Sequence, residues 1–103
     1  MYIYNVTLKV DPAVENDWLI WMKEEHIPDV MRSGLFTDNK VLLLTYSPFQ
    51  DESEGNTFVV QYFFKDMDDY DLYQSTYAPH LQKKHAERYG EKVLAFRTIL
   101  KDI

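Results

Sequence analysis

A chain of 103 residues and 12.3 kDa has the usual size of one domain, residues 1–103, and roughly two-thirds of its unfolded surface is expected to be buried. An apolar share of 46% with Tyr 8, Phe 6 and Trp 2 excludes disorder, and no cysteine means no disulfide, thiolate nucleophile, thiolate zinc site or iron–sulfur cluster. Eleven Lys and Arg against seventeen Asp and Glu, a net charge of −6, argue against a nucleic-acid partner, and without a membrane-length apolar run or a basic, then apolar, Met1 end the expectation is a soluble, cytoplasmic protein with no membrane partner.

Tyr2 to Val10 alternates, with Tyr2, Tyr4, Val6, Leu8 and Val10 on one face and Ile3, Asn5, Thr7 and Lys9 on the other, the period of a strand. Asp11-Pro12 stops it and starts a helix, as N-cap and first helical residue. Val14, Trp18, Trp21, Met22 and Ile27 line one side of that helix. Pro28 kinks or restarts it, and Ser33-Gly34 ends it, with Gly34 as the left-handed cap. Lys40 to Tyr46 reads as the second strand, and Ser47 to Asn56, with Pro48, Gly55, Gln50, Asp51, Glu52 and Glu54, as a mobile polar turn.

Thr57 to Lys65 is the third strand. The run Asp66, Asp68, Asp69, Asp71 reads as charge at a helix N-terminus, favoured by the macrodipole, in preference to a metal site. Tyr70, Tyr73, Tyr77 and Leu81 then follow at helical spacing, Pro79 restarts the helix, and Lys92 to Lys101 is the last strand. The order β-α-β-β-α-β, with Trp18/Trp21 before Pro28 echoed by Tyr70/Tyr73 before Pro79, predicts the split, ferredoxin-like α+β arrangement.

Strands two and three are apolar on both faces. If Phe58, Val60, Tyr62 and Phe64 meet the helices, Val59 and Phe63 lie opposite, and leaving them wet forfeits several kcal/mol at ~25 cal/mol per Å². A second copy of the chain, in a two-fold dimer, is the expected cover.

The run from Trp18 to Met31, then Gly34-Leu35-Phe36, together with Tyr77-Ala78-Pro79-His80-Leu81, Arg88-Tyr89-Gly90-Glu91 and Ala95-Phe96-Arg97, resembles the short bacterial proteins of domain-of-unknown-function family 4286. The likeness covers nearly the whole chain. That family in turn resembles the dimeric α+β barrel proteins, in which two ferredoxin-like subunits close their sheets face to face; their relatives include monooxygenases, haem proteins, sugar mutarotases and lactone isomerases. The helix carrying His26-Ile27-Pro28 is similar to one branch, the EthD-like proteins. The resemblance implies a fold and a homodimer and leaves activity open.

Three histidines are present. His80 and His85 stand about 140° apart on an ideal helix and do not form a metal pair. Antiparallel helices put His26 and His80 near opposite ends, and no pattern supports a haem ligand, so neither metal nor cofactor is expected. His26, read as lying near a helix C-terminus that favours imidazolium, is the candidate general base; the competing reading is a capping histidine in a fixed turn. Arg97 is the candidate anion holder. If Leu94, Phe96, Thr98 and Leu100 face the helices, Arg97 joins Asn5, Thr7 and Gln61 inside the barrel, where the four resemble a pocket lining. The competing reading is a buried network or an ion pair between subunits. The expected function is binding of a small polar or anionic molecule inside a homodimeric barrel. The alternatives are a cofactor-independent isomerase or monooxygenase-like enzyme, and a structural or regulatory dimer with a filled interior.

Overall fold

The computed structural model describes residues 1–48 and 54–103. Four antiparallel strands, β1 (Tyr2–Val10), β2 (Asp38–Leu43), β3 (Asn56–Phe64) and β4 (Val93–Lys101), form one sheet in the order β2-β3-β1-β4. The connections are helical: α1 (Glu15–Trp21), a π turn over Met22–His26 and α2 (Ile27–Met31) lead from β1 to β2, and α3 (Met67–Thr76) and α4 (Ala78–Tyr89) lead from β3 to β4. This is the ferredoxin-like α+β order that the strand and helix periods predict. The polar turn expected from Ser47 to Asn56 falls partly on residues 49–53, outside the described residues.

The core lies between the sheet and the helices. Tyr4, Val6, Leu8 and Val10 of β1 and Phe58, Val60, Tyr62 and Phe64 of β3 are buried, and Trp18, Trp21, Met22, Ile27 and Val30 close over them from the first helical leg. The second leg adds Tyr73, Ala78, Leu81 and Tyr89. Aromatic rings join the layers: Tyr4 packs on Phe36, Tyr62, Tyr70 and Tyr73 with centroids 5.3–6.1 Å apart, within the range of favourable ring pairs.

Several local signals act as read. Asp66 caps α3, its Oδ1 accepting from the Asp68 amide at 2.9 Å. Pro28 and Pro79 each stand at the start of the second helix of their leg, so the internal echo is structural. Gly34 takes φ 76° after α2.

Others differ. Asp11 caps a turn, its Oδ1 accepting from Ala13 N at 2.8 Å, and α1 begins only at Glu15. β2 begins at Asp38 and ends at Leu43, two to three residues ahead of the expected strand, because its register is set by pairing Asp38 with Phe63 and Leu43 with Phe58. The largest correction concerns β4. Its ladder sets Val10 opposite Val93, Leu8 opposite Ala95, Val6 opposite Arg97 and Tyr4 opposite Ile99. Directly opposed residues share a face, so Arg97 lies on the helix-facing side, and Leu94, Phe96, Thr98 and Leu100 lie on the open side, the reverse of the expectation. No helix among the described residues is long and apolar enough to cross a membrane.

Candidate functional site

Between the helices and the sheet lies a partly enclosed cavity of about 30 Å³, room for a water or two at ~10–15 Å³ each. Three of the strands and both helical legs contribute to its lining. β1 and β3 supply Tyr4 and Tyr62 among valines and Leu8; the first leg supplies Met22, His26 and Val30; the second supplies Tyr73, Gln82 and His85; and β4 supplies Arg97. Polar groups thus converge on an otherwise apolar wall, the usual make-up of a small-molecule site.

His26 owes its position to the π turn. Four α-helical steps of about 100° overshoot a full turn by about 40°. The wider i→i+5 turn over Met22–His26 removes that overshoot and stacks His26 closer to the line of Met22. The helical run continues through α2 to Met31, so His26 is not at a helix C-terminus and no dipole favours its imidazolium. Burial, above all, lowers its pKa from the ordinary 6.5 to about 4, with the His85, Lys84 and Arg97 charges acting the same way against the opposing pull of Asp29. Asp29 is itself engaged by Arg32 and by Lys84 at 3.5 Å.

The second cavity histidine is His85, for which the sequence suggested no role beyond the absence of a metal pair with His80. Its ring lies 5.9 Å from that of His26, edge to face, and its Nε2 accepts from Trp18 Nε1 at 3.0 Å. Its pKa is also lowered, by burial first and then by Arg97. The signal was available: Ala78, Leu81, His85 and Tyr89 recur at three and four residues, and a histidine in a buried stripe needs a polar partner. His80 instead borders a surface groove with Asp29, Arg32 and Tyr77.

The tyrosine hydroxyls stay neutral. Burial, the largest cause in each case, raises the pKa of Tyr4, Tyr62 and Tyr73, and for Tyr4 it outweighs the opposing pull of the adjacent Arg97 guanidinium. Arg97 itself is exposed, on the edge strand β4. The ion pairs among the described residues join Lys9 to Glu54, Arg32 to Asp29, Lys83 to Glu87, Lys84 to Glu25 and Asp29, and Arg88 to Asp17. None involves Arg97, and no Asp or Glu lines the cavity.

Asn5, Thr7 and Gln61 do not join this site. They lie on the open face and bond to one another: Gln61 Nε2 donates to Asn5 Oδ1 at 3.0 Å, and Asn5 Nδ2 donates to Thr7 and Thr98 hydroxyls at 3.4 Å. The expected grouping of Arg97 with these three is thereby corrected, and Arg97 instead lines the same cavity as His26. Among the described residues no group of three or more His, Asp or Glu side chains is arranged to hold a metal ion.

A four-stranded antiparallel sheet backed on one face by two helical legs is a ferredoxin-like α+β fold. Solved structures share that fold. An EthD family protein from Bacillus halodurans aligns over 100% of both chains with 17% identity and a TM-score of 0.68. HapK from Hahella chejuensis aligns over 100% of this chain and 93% of its own, with 10% identity and a TM-score of 0.69. A dimeric ferredoxin-like protein from an uncultured marine organism covers 99% and 95%, with 14% identity and a TM-score of 0.59. At these identities the likeness is one of fold. No curated protein matches the chain. Residues 1–103 match the domain of unknown function DUF4286, and the chain belongs to that family.

Proposed function

We propose that the protein binds a small anionic molecule in the cavity between its helices and its sheet, with Arg97 holding the negative charge and His26 accepting a hydrogen bond or proton. One observation carries this reading: in a chain with seventeen acidic residues, the cavity is lined by an arginine that pairs with no carboxylate among the described residues, two imidazoles held neutral and three phenols, and by no carboxylate. A guanidinium keeps its charge and matches a carboxylate or phosphate with two parallel hydrogen bonds. The cavity is small, so a ligand larger than water requires side chains to part; Arg97, exposed on an edge strand, has the freedom to swing.

The protein is also proposed to work as a homodimer closed through the open sheet faces. Val59 and Phe63 lie there as expected, and the reversed face of β4 adds Leu94, Phe96 and Leu100, with Leu94 63% and Phe96 64% exposed. The open face is thereby more apolar than expected, and the dimeric ferredoxin-like neighbour supports a second copy as its cover.

A second reading, acid–base catalysis, is favoured by His26 and Arg97 sharing one cavity. With a pKa of about 4 the free imidazole is a weak base, and general bases work best near the operating pH. A bound anion would raise that pKa by attraction, so substrate charge itself would prime the base. Thermal unfolding in inorganic phosphate, benzoate and succinate tests the binding reading. Saturating ligand should raise Tm by roughly ten degrees or more, since ~100 Kd of ligand is worth about 2.7 kcal/mol, and Arg97→Met should abolish the rise. An equal rise in the variant, or none with any anion, would contradict it.

A further inference from the structure

Trp18 is fully buried, and its indole N–H can only donate. A buried donor needs an acceptor, and the one it has is Nε2 of His85 at 3.0 Å. That bond occupies the Nε2 lone pair. A neutral imidazole has one protonated and one bare nitrogen, so the proton of His85 must sit on Nδ1. Around pH 7 the ring is neutral, because burial and the Arg97 charge both oppose a second proton, and protonating Nε2 would set two N–H groups against each other. The His26 ring stands beside it in the same cavity, and Trp21 packs on both imidazoles at 5.2 and 5.8 Å. No corresponding bond from Trp18 reaches His26.

We infer that Trp18 assigns different roles to the two histidines: by holding His85 as the Nδ1–H tautomer it makes His85 a fixed hydrogen-bond donor of the cavity, and leaves His26 as the imidazole that accepts. For the ligand class this inference rests on the proposed anion site, and it narrows that class. A donor at His85 and a guanidinium at Arg97 suit a group with two acceptor oxygens, as in a carboxylate or phosphate, and disfavour a cation or a ligand presenting N–H groups to both. Trp18 acts here as a positioning residue, through His85.

The tautomer is read in the free protein, without any ligand, by long-range proton–nitrogen NMR on histidine labelled with ¹⁵N at pH 7. His85 should show a protonated Nδ1 and a bare Nε2. Trp18→Phe, which keeps an aromatic ring but removes the N–H, should convert His85 to a mixture of tautomers and leave the His26 pattern as it was. A wild-type His85 protonated on Nε2, or a Trp18→Phe protein that still holds His85 purely as Nδ1–H, would overturn the inference. If Trp18→Phe does not fold, the wild-type spectrum decides alone. Titrating inorganic phosphate into the same sample separates the two proposals. Movement of the His85 N–H signal supports the donor role, whereas a His85 locked as Nδ1–H but indifferent to phosphate would contradict the anion site and leave the tautomer assignment standing.

Discussion

Replacing Arg97 by Met removes the cation that lines the cavity and strands no carboxylate, because none pairs with it among the described residues. Arg97→Met should therefore change stability by less than about 1 kcal/mol, measured by urea unfolding in buffer free of phosphate; a loss of several kcal/mol would mean that Arg97 has a structural partner. His26 makes a pH-dependent contribution with a definite sign. Its folded pKa of about 4 lies below the ordinary 6.5, so between those values the unfolded chain binds the extra proton. Stability is full above pH 6.5 and falls as the pH drops toward 4, by at most about 3 kcal/mol at 1.36 kcal/mol per unit, and by less for a ring that water partly reaches. Urea unfolding at pH 7 and pH 5 should show that loss in the wild type and a shallower one in His26→Gln, with His85 supplying part of the remainder. Both Arg97 and His26 were legible in the sequence, Arg97 as a charge in an apolar strand and His26 as a titratable group beside Pro28 in a helical run. Their sharing of one cavity was not, because it depends on which face Arg97 occupies, and the tyrosines read simply as core because a stripe at helical spacing does not reveal where its hydroxyls gather.

At the level of elements, alternation placed the faces of β1 and β3 because polar residues mark one phase of each, Asn5, Thr7 and Lys9 in β1 and Thr57 and Gln61 in β3. β4 is apolar in both phases, Val93, Ala95 and Ile99 in one and Leu94, Phe96 and Leu100 in the other, so alternation alone does not choose between them. Pairing with β1 decides, and pairing is not a local property. The π turn leaves a single mark on the period, the five-residue step from buried Met22 to buried Ile27, too slight by itself to tell a wide turn from a kink. Gly55, by contrast, has a local reason to be conformationally special. Its φ is +111°, and a Cβ there would stand 1.9 Å from the Val10 carbonyl oxygen, where β3 enters the sheet beside β1. Gly55→Ala should destabilise by about 2 kcal/mol or more through backbone strain and displacement of β1, seen as a lowered denaturation midpoint. Asp66→Ala should cost about 1 kcal/mol through loss of the α3 cap; an unchanged midpoint would show that the capping bond adds nothing.

For the molecule as a whole, the sheet has two faces and the account gives them different tasks, a ligand cavity on the helix side and a partner on the open side. Sedimentation equilibrium at micromolar concentration should give about twice 12.3 kDa, and Phe96→Glu should dissociate or aggregate the protein by placing an unpaired charge at the contact. A well-folded monomer in the wild type would remove the dimer from the account. Which face holds the ligand is tested most directly by NMR shifts during a benzoate titration of the ¹⁵N-labelled protein. Saturable shifts are expected at the His26 and His85 imidazoles and the Arg97 side chain, with the amides of Asn5 and Gln61 unmoved. Shifts centred on Asn5 and Gln61, with the two histidines silent, would put the ligand on the open face and contradict the cavity site.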